Sequence, residues 1–168
     1  MSTVIVGLGN PVLTDDAVGL TVAAELRRRL AGRAGIEVVE LCAGGLRLME
    51  ALAGHERAIL IDAIESGRPA GTIVRLGMAD LPLTRSASSS HDGSLAAAWE
   101  LARAIGLRIP SEVSIWAVEA ADVQTFGERL TGAVEPAARR VVEEILCELG
   151  HGDPPAQGEL DEDRRISV

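Results

Sequence analysis

The sequence of residues 3–20, TVIVGLGNPVLTDDAVGL, contains an apolar strand, a glycine-rich turn and the start of a helix. Residues 3–8 are β-branched and apolar, which is typical of a strand buried on both faces. Residues 15–31 then change to a helical period, and Thr14 or Asp15 can cap this helix. Its apolar face carries Val18, Val22, Leu26 and Leu30.

The rest of the chain continues this alternation of strands and helices. Strand-like runs lie at residues 36–41, 57–64, 71–76 and 112–119. Helical runs lie at about residues 46–53, 92–105 and 130–149, and residues 78–91, which have no apolar period, are predicted to be a loop. The pattern predicts an α/β fold, a three-layer sandwich with a central twisted, largely parallel sheet of about five strands and helices on both faces.

The composition excludes several classes of protein. A net charge of −9 repels nucleic acid, and a single Phe with two Trp leaves no base-stacking platform. The apolar runs are shorter than a membrane span needs, and the N-terminus lacks the basic region of a signal peptide, so we expect a cytoplasmic protein with two reduced cysteines. Residues 1–150 are predicted to form one domain, and the charged residues 151–168 a disordered acidic tail.

The glycine-rich turn also resembles part of a dinucleotide-binding fingerprint. Gly7 and Gly9 match its first two glycines, and Glu40 ends the second strand where a ribose-binding acid would stand. However, Val12 replaces the third glycine, and Asp15 and Asp16 at the helix start would repel a pyrophosphate. The dinucleotide interpretation is therefore disfavoured.

The same turn is better suited to a cation. Sites in parallel sheets form beyond the carboxyl ends of the strands, where residues 10–16 and Asp62 would both lie. Asp16 would project from the first helical turn into this crevice. The structural alternative is that Asp15 and Asp16 only cap the helix.

Asp62 and His91 are the other candidate ligands. Asp62 follows a largely apolar run in which an unpaired charge would be costly, although a structural hydrogen bond to a loop could also explain it. His91 ends a serine-rich segment that could carry it over the strand ends, or it could simply cap the next helix. Together with Asp16, two carboxylates and one imidazole suit Zn²⁺ or Ni²⁺ and leave coordination positions open for chemistry.

Three segments resemble the maturation protease family of the NiFe-hydrogenases. They are residues 7–19, GLGNPVLTDDAVG; residues 57–64, RAILIDAI, with Asp62; and residues 88–95, SSSHDGSL, with His91. The resemblance extends to about residue 149 and implies a phosphorylase/hydrolase-like α/β sandwich.

The resemblance implies an endopeptidase that removes the C-terminal tail of a hydrogenase large-subunit precursor after nickel insertion. Asp16, Asp62 and His91 would bind the metal and act as the catalytic residues. Nickel would be supplied by the precursor, so processing would depend on its insertion, and no organic cofactor is implied. Whether the metal polarises the scissile carbonyl or a water, with a carboxylate as base, stays open. A monomer acting without nucleic acid or membrane is expected.

Two departures from the family pattern qualify this interpretation. Residues 40–45, ELCAGG, replace a segment that in relatives is usually D-G-G-T-x-G, so the client hydrogenase stays open. Asp16 stands where some relatives have Glu, which shortens the ligand by one methylene. The alternatives are a related α/β metallohydrolase or peptidase with another protein substrate, and a non-enzymatic metal- or nucleotide-binding module. Serine or cysteine catalysis lacks a supporting motif.

Overall fold

A computed structural model describes residues 1–42, 45–88 and 95–150. The strands are β1 (Thr3–Leu8), β2 (Ile36–Leu41), β3 (Arg57–Ile64), β4 (Ile73–Leu76) and β5 (Glu112–Glu119). The α-helices in the described residues are α1 (Val18–Arg29), α2 (Gly45–Leu52), α3 (Arg85–Ser88), α4 (Leu95–Ala104) and α5 (Val134–Glu148). Two 3₁₀-helices, Asp15–Ala17 and Met78–Leu83, precede α1 and α3.

The five strands form one sheet in the order β2-β1-β3-β5-β4. The pairs β1–β2, β1–β3 and β3–β5 are parallel, whereas β4 pairs antiparallel with β5. The predicted fold class is confirmed. Because β1, β2, β3 and β5 run the same way, the loops that follow them meet at one edge of the sheet, called here the carboxyl edge.

Helices cover both faces of the sheet. On one face, α1 and α5 pack over a cluster that includes Ile5, Ile59 and Val118. On the other face, α2 and α4 pack over a second cluster that includes Val4 and Leu60. Successive residues of β1 thus enter opposite cores, which explains its uninterrupted apolar sequence. Each fully buried Leu, Ile or Val contributes about 1.5–3 kcal/mol relative to its exposed state.

Glycines bring the start of α1 into backbone contact with β1. A Cβ at Gly7 would overlap the carbonyl oxygen of Gly19, and a Cβ at Gly19 would overlap that of Leu8. Gly9 has a φ of +155°, and a Cβ there would overlap the carbonyl of Asp16. The glycine-rich turn therefore serves close packing, and it fixes Asp16 beside the end of β1.

Several boundaries differ from those predicted. Residues 78–88, predicted as loop, contain a 3₁₀-helix and α3, which are too short to show a helical apolar period. The predicted strand at 71–76 begins only at Ile73, because Thr72 closes a turn by donating its N–H to the carbonyl of Pro69. The last helix begins at Val134 and not at residue 130, because Thr131 donates its backbone N–H to the carboxylate of Asp15.

The first helix keeps its predicted apolar face but not its predicted cap. Val18, Val22, Leu26 and Leu30 are all buried in the α1–α5 core, as predicted. Thr14 makes no capping hydrogen bond within the described residues, and its hydroxyl donates to the carbonyl of Thr125. A 3₁₀ turn occupies residues 15–17 before α1 proper.

Three smaller expectations have mixed outcomes. Both cysteines are free, Cys42 being exposed and Cys147 half-buried. No helix among the described residues is long and apolar enough to span a membrane. The predicted tail at residues 151–168 lies outside the described residues, so the division into a domain and a tail stays a prediction.

Candidate active site at the carboxyl edge of the sheet

Asp16 and Asp62 come together at the carboxyl edge of two adjacent strands. Asp16 follows β1, and Asp62 lies two residues before the end of β3, which pairs directly with β1. Residues Thr84–Ser86, here called the covering segment, contact both carboxylates. A bridge between Ile64 and Thr84 holds this segment against the end of β3.

The carboxylate of Asp62 is fully buried and well hydrogen-bonded. Its Oδ1 accepts from the backbone N–H of Ala63 and from the hydroxyl of Ser86, both at 2.9 Å. Its Oδ2 accepts from the backbone N–H of Ser86 at 2.8 Å, and the hydroxyl of Thr84 adds a further bond. Burial raises the pKa of Asp62 to about 6, because it outweighs these hydrogen bonds, which lower the pKa.

Asp16 is also largely buried but faces a cation. Its Oδ1 lies 3.4 Å from Nε of Arg85, and an Arg85 NH group donates to Glu65 at 2.8 Å. Burial raises the pKa of Asp16, the positive charge of Arg85 opposes that rise, and the negative charge of Glu65 adds to it. The three side chains form an alternating row of charges beside the end of β1.

Asp15 has a separate, structural role. Its carboxylate is fully buried and accepts hydrogen bonds from the backbone N–H groups of Ala121, Asp122 and Thr131 at 2.8–3.0 Å. The hydroxyl of Thr131 adds a fourth bond at 2.9 Å. The alternative that Asp15 and Asp16 only cap the helix is therefore wrong, since the two carboxylates bind different partners.

The loop after β1 is joined along its length to the loop after β5. The backbone N–H and the hydroxyl of Thr14 both donate to the carbonyl of Thr125. Gly127 donates its N–H to the carbonyl of Val12, and Leu13 bridges to Phe126. These contacts hold the backbone that leads into Asp16.

Glu119, at the end of β5, anchors a third loop. It is 3% exposed, and its carboxylate accepts hydrogen bonds from the N–H groups of Ser66 and Gly67 and from the Ser66 hydroxyl. This fixes the turn after β3 that presents Glu65 to Arg85. The sequence interpretation missed Glu119, Glu65 and the covering segment; the only available signals were the serine-rich composition around residue 88 and a strand ending in an acid.

The third predicted ligand, His91, lies outside the described residues. Within residues 1–42, 45–88 and 95–150, no group of three His, Cys, Asp or Glu side chains is arranged to hold a metal ion. The donor chemistry nevertheless fits a divalent cation, since carboxylate oxygens with an imidazole are common ligands of Zn²⁺ and Ni²⁺. The guanidinium beside Asp16 occupies a position where positive charge is favoured.

Glu40, the acid that the dinucleotide interpretation assigned to ribose binding, has a different partner in the structure. Glu40 pairs with Arg27, with an N–O distance of 2.6 Å, and Arg27 also donates to the carbonyl of Val38. Glu40 is therefore held on α1 and β2 and is not directed to the glycine turn. The charge at the turn remains negative, which suits a cation and not a phosphate.

Comparisons with known proteins agree on one family. The family model described as hydrogenase maturation protease matches residues 20–148, a range that begins after Asp16. The hydrogenase 2 maturation protease of Escherichia coli is 27% identical over 151 residues, which cover 89% of this chain and 91% of that protein. The hydrogenase expression/formation protein HupD of Thiocapsa roseopersicina is 23% identical over 156 residues, covering 87% of this chain and 68% of HupD.

Solved structures give the same result. The hydrogenase maturating endopeptidase HybD from E. coli superposes with a TM-score of 0.76 at 26% identity, over 89% of this chain and 93% of HybD. A hydrogenase maturation protease HycI from Thermococcus kodakarensis has a TM-score of 0.63 at 22% identity, over 89% and 92% of the two chains, and supports the fold. The resemblance noted in the sequence is confirmed: this chain belongs to the hydrogenase maturation protease family.

Proposed function

We propose that this protein removes the C-terminal tail of a NiFe-hydrogenase large-subunit precursor once nickel has been inserted. In this proposal Asp16, Asp62 and His91 bind nickel that the precursor itself holds. The observation that carries the proposal is that Asp16 and Asp62 lie at one sheet edge under a single covering segment. Membership of the maturation protease family supports the endopeptidase activity.

The two carboxylates are suited to different parts of such a reaction. Burial makes ionised Asp16 costly, so an incoming cation would stabilise its charged form. Asp62, with a pKa of about 6, is mostly ionised at neutral pH and still able to accept a proton readily. Nickel would supply a Lewis acid next to the scissile carbonyl or a bound water.

The same arrangement would make processing conditional on nickel. A precursor without nickel presents no divalent cation to Asp16, Asp62 and His91, and therefore loses the interaction that positions its tail. Binding energy is used here to select the finished substrate. No organic cofactor enters the proposal, and we place the enzyme in the cytoplasm as a monomer, in keeping with its two free cysteines.

The test is a gel-shift cleavage assay on a candidate precursor prepared with and without nickel. We expect the wild-type protein to release a short C-terminal peptide only from the nickel-loaded form. Asp16→Asn, Asp62→Asn and His91→Ala should each abolish release while leaving the circular dichroism spectrum unchanged. The matched control is Glu25→Gln, which removes an exposed carboxylate on α1 that pairs with Arg28.

Two outcomes would contradict the proposal. Equal cleavage of the nickel-loaded and nickel-free precursors would show that nickel is not what the enzyme recognises. Normal cleavage by all three site variants would show that Asp16, Asp62 and His91 are not the site.

A further inference from the structure

Arg85 lies between two carboxylates at the mouth of the candidate site. Its Nε is 3.4 Å from Asp16, whose side chain is 11% exposed, and its NH1 is 2.8 Å from Glu65, whose side chain is 50% exposed. The guanidinium thus contacts one largely buried carboxylate, that of Asp16, and one half-exposed carboxylate, that of Glu65. Its closer partner is Glu65, the more exposed carboxylate.

The covering segment couples this guanidinium to the other candidate ligand. Ser86, the next residue, binds Asp62 through both its N–H and its hydroxyl. A cation that binds Asp16 therefore lies close to the positive charge of Arg85, whose neighbour Ser86 is held by Asp62. Like charges at such distances repel strongly in a partly buried environment.

Glu65 offers a fixed position to which the guanidinium can withdraw. The turn that carries Glu65 is held by the buried Glu119 through Ser66 and Gly67. Because an Arg side chain has a long flexible stem, it can leave Asp16 while keeping its bond to Glu65. This movement gives up the 3.4 Å contact with Asp16 and keeps the 2.8 Å contact with Glu65.

We propose that Arg85 is a specificity-determining residue that neutralises Asp16 in the free enzyme and yields this position to the nickel centre of the precursor by shifting fully onto Glu65. The inference rests on the proposed function of the same site. Arg85 would keep weakly bound cations away from Asp16. A divalent centre presented by the precursor is attracted strongly enough to replace the guanidinium.

The test measures metal binding without the precursor, by isothermal titration calorimetry with Ni²⁺ and, separately, Cd²⁺. We expect Arg85→Gln to lower the Kd for Ni²⁺ about tenfold or more. A neighbouring opposite charge shifts the pKa of a carboxylate by about one unit or more, which corresponds to the same factor. Arg85→Lys, which keeps the charge, should stay near the wild-type value. Glu65→Gln should raise the Kd, because the guanidinium then loses the position to which it withdraws.

The matched control is Arg68→Gln, which removes an arginine from the turn that carries Glu65, where Arg68 bonds to Ser66. Its Kd should equal that of the wild type. An Arg85→Gln protein that is folded by circular dichroism but binds Ni²⁺ no more tightly than the wild type would overturn the inference, as would a lower Kd in Glu65→Gln. Nickel-dependent cleavage by the wild type is measured separately, so failure of this inference is distinguishable from failure of the proposed function.

Discussion

Thr131 donates two hydrogen bonds to the buried carboxylate of Asp15, one from its backbone N–H and one from its hydroxyl. With Ala121 and Asp122 it completes a set of four donors to one side chain. Asp15→Ala would leave these donors without their carboxylate acceptor. Since a hydrogen bond to a charged group is worth about 1.5–3 kcal/mol, we expect the free energy of unfolding to fall by about 3 kcal/mol or more.

Urea denaturation followed by circular dichroism measures this loss. The control is Glu50→Ala, which removes an exposed carboxylate on α2 and should change the free energy of unfolding by less than about 0.5 kcal/mol. Equal stability of the Asp15→Ala protein and the wild type would show that the loops after β1 and β5 are held together by other contacts.

The buried Asp62 should make stability depend on pH. Its pKa is raised from 3.8 to about 6 in the folded protein, so folding favours the protonated form. This contribution is complete below pH 3.8 and is lost as the pH rises through about 6. Relative to Asp62→Asn, the wild type should lose on the order of 3 kcal/mol of unfolding free energy between these limits.

Urea titrations of both proteins at several pH values between 4 and 8 would give the difference. The Asn variant also loses a hydrogen-bond acceptor, which shifts its stability at every pH and leaves the slope of the difference intact. A difference that is constant across this range would mean that Asp62 has an ordinary pKa.

The hydroxyl of Ser86 should lower the pKa of Asp62 further than the backbone donors do alone. Ser86→Ala removes the 2.9 Å bond to Oδ1 and keeps the N–H bond to Oδ2. We therefore expect the pKa of Asp62 to rise in this variant, as followed by the carboxyl carbon signal in an NMR titration. Ser111→Ala, an exposed residue just before β5, is the control and should leave that titration unchanged.

The packing of α1 on β1 should be intolerant of a methyl group. Gly7→Ala places a Cβ against the backbone of Gly19 and against Ala23, neither of which can move without shifting the helix. We expect a loss of about 3 kcal/mol or more in unfolding free energy, or failure to fold. Gly132→Ala is the matched control, because its Cβ would enter open space. A Gly7→Ala protein as stable as the Gly132→Ala protein would contradict the close packing.

The strands were predictable from the apolar and β-branched residues in their own sequences. β1, β2, β3 and β5 have the predicted limits; β1, β3 and β5 contain runs of buried apolar or β-branched residues, and β2 combines half-buried apolar residues with exposed Glu37 and Glu40. The same pattern predicted that Asp16 and Asp62 would lie at one edge of the sheet. A parallel arrangement makes that placement almost independent of side-chain detail.

The partners of those carboxylates were not predictable in the same way. Ser86 is 24 residues from Asp62, Arg85 is 69 residues from Asp16, and Thr131 is 116 residues from Asp15. No local periodicity relates such positions, and a serine or arginine in a polar segment resembles any surface residue. The division of work between Asp15 and Asp16 likewise depends on which direction each side chain takes from a 3₁₀ turn.

The attachment of Asp15 to residues 121–131 has a consequence for the timing of synthesis. A chain still growing on the ribosome has made its first acidic pair long before the segment that holds Asp15 emerges. Asp15 can acquire these donors only when β5 and the loop after it have been released. The turn that carries Asp15 and Asp16 therefore completes its hydrogen bonding only after most of the chain has been made.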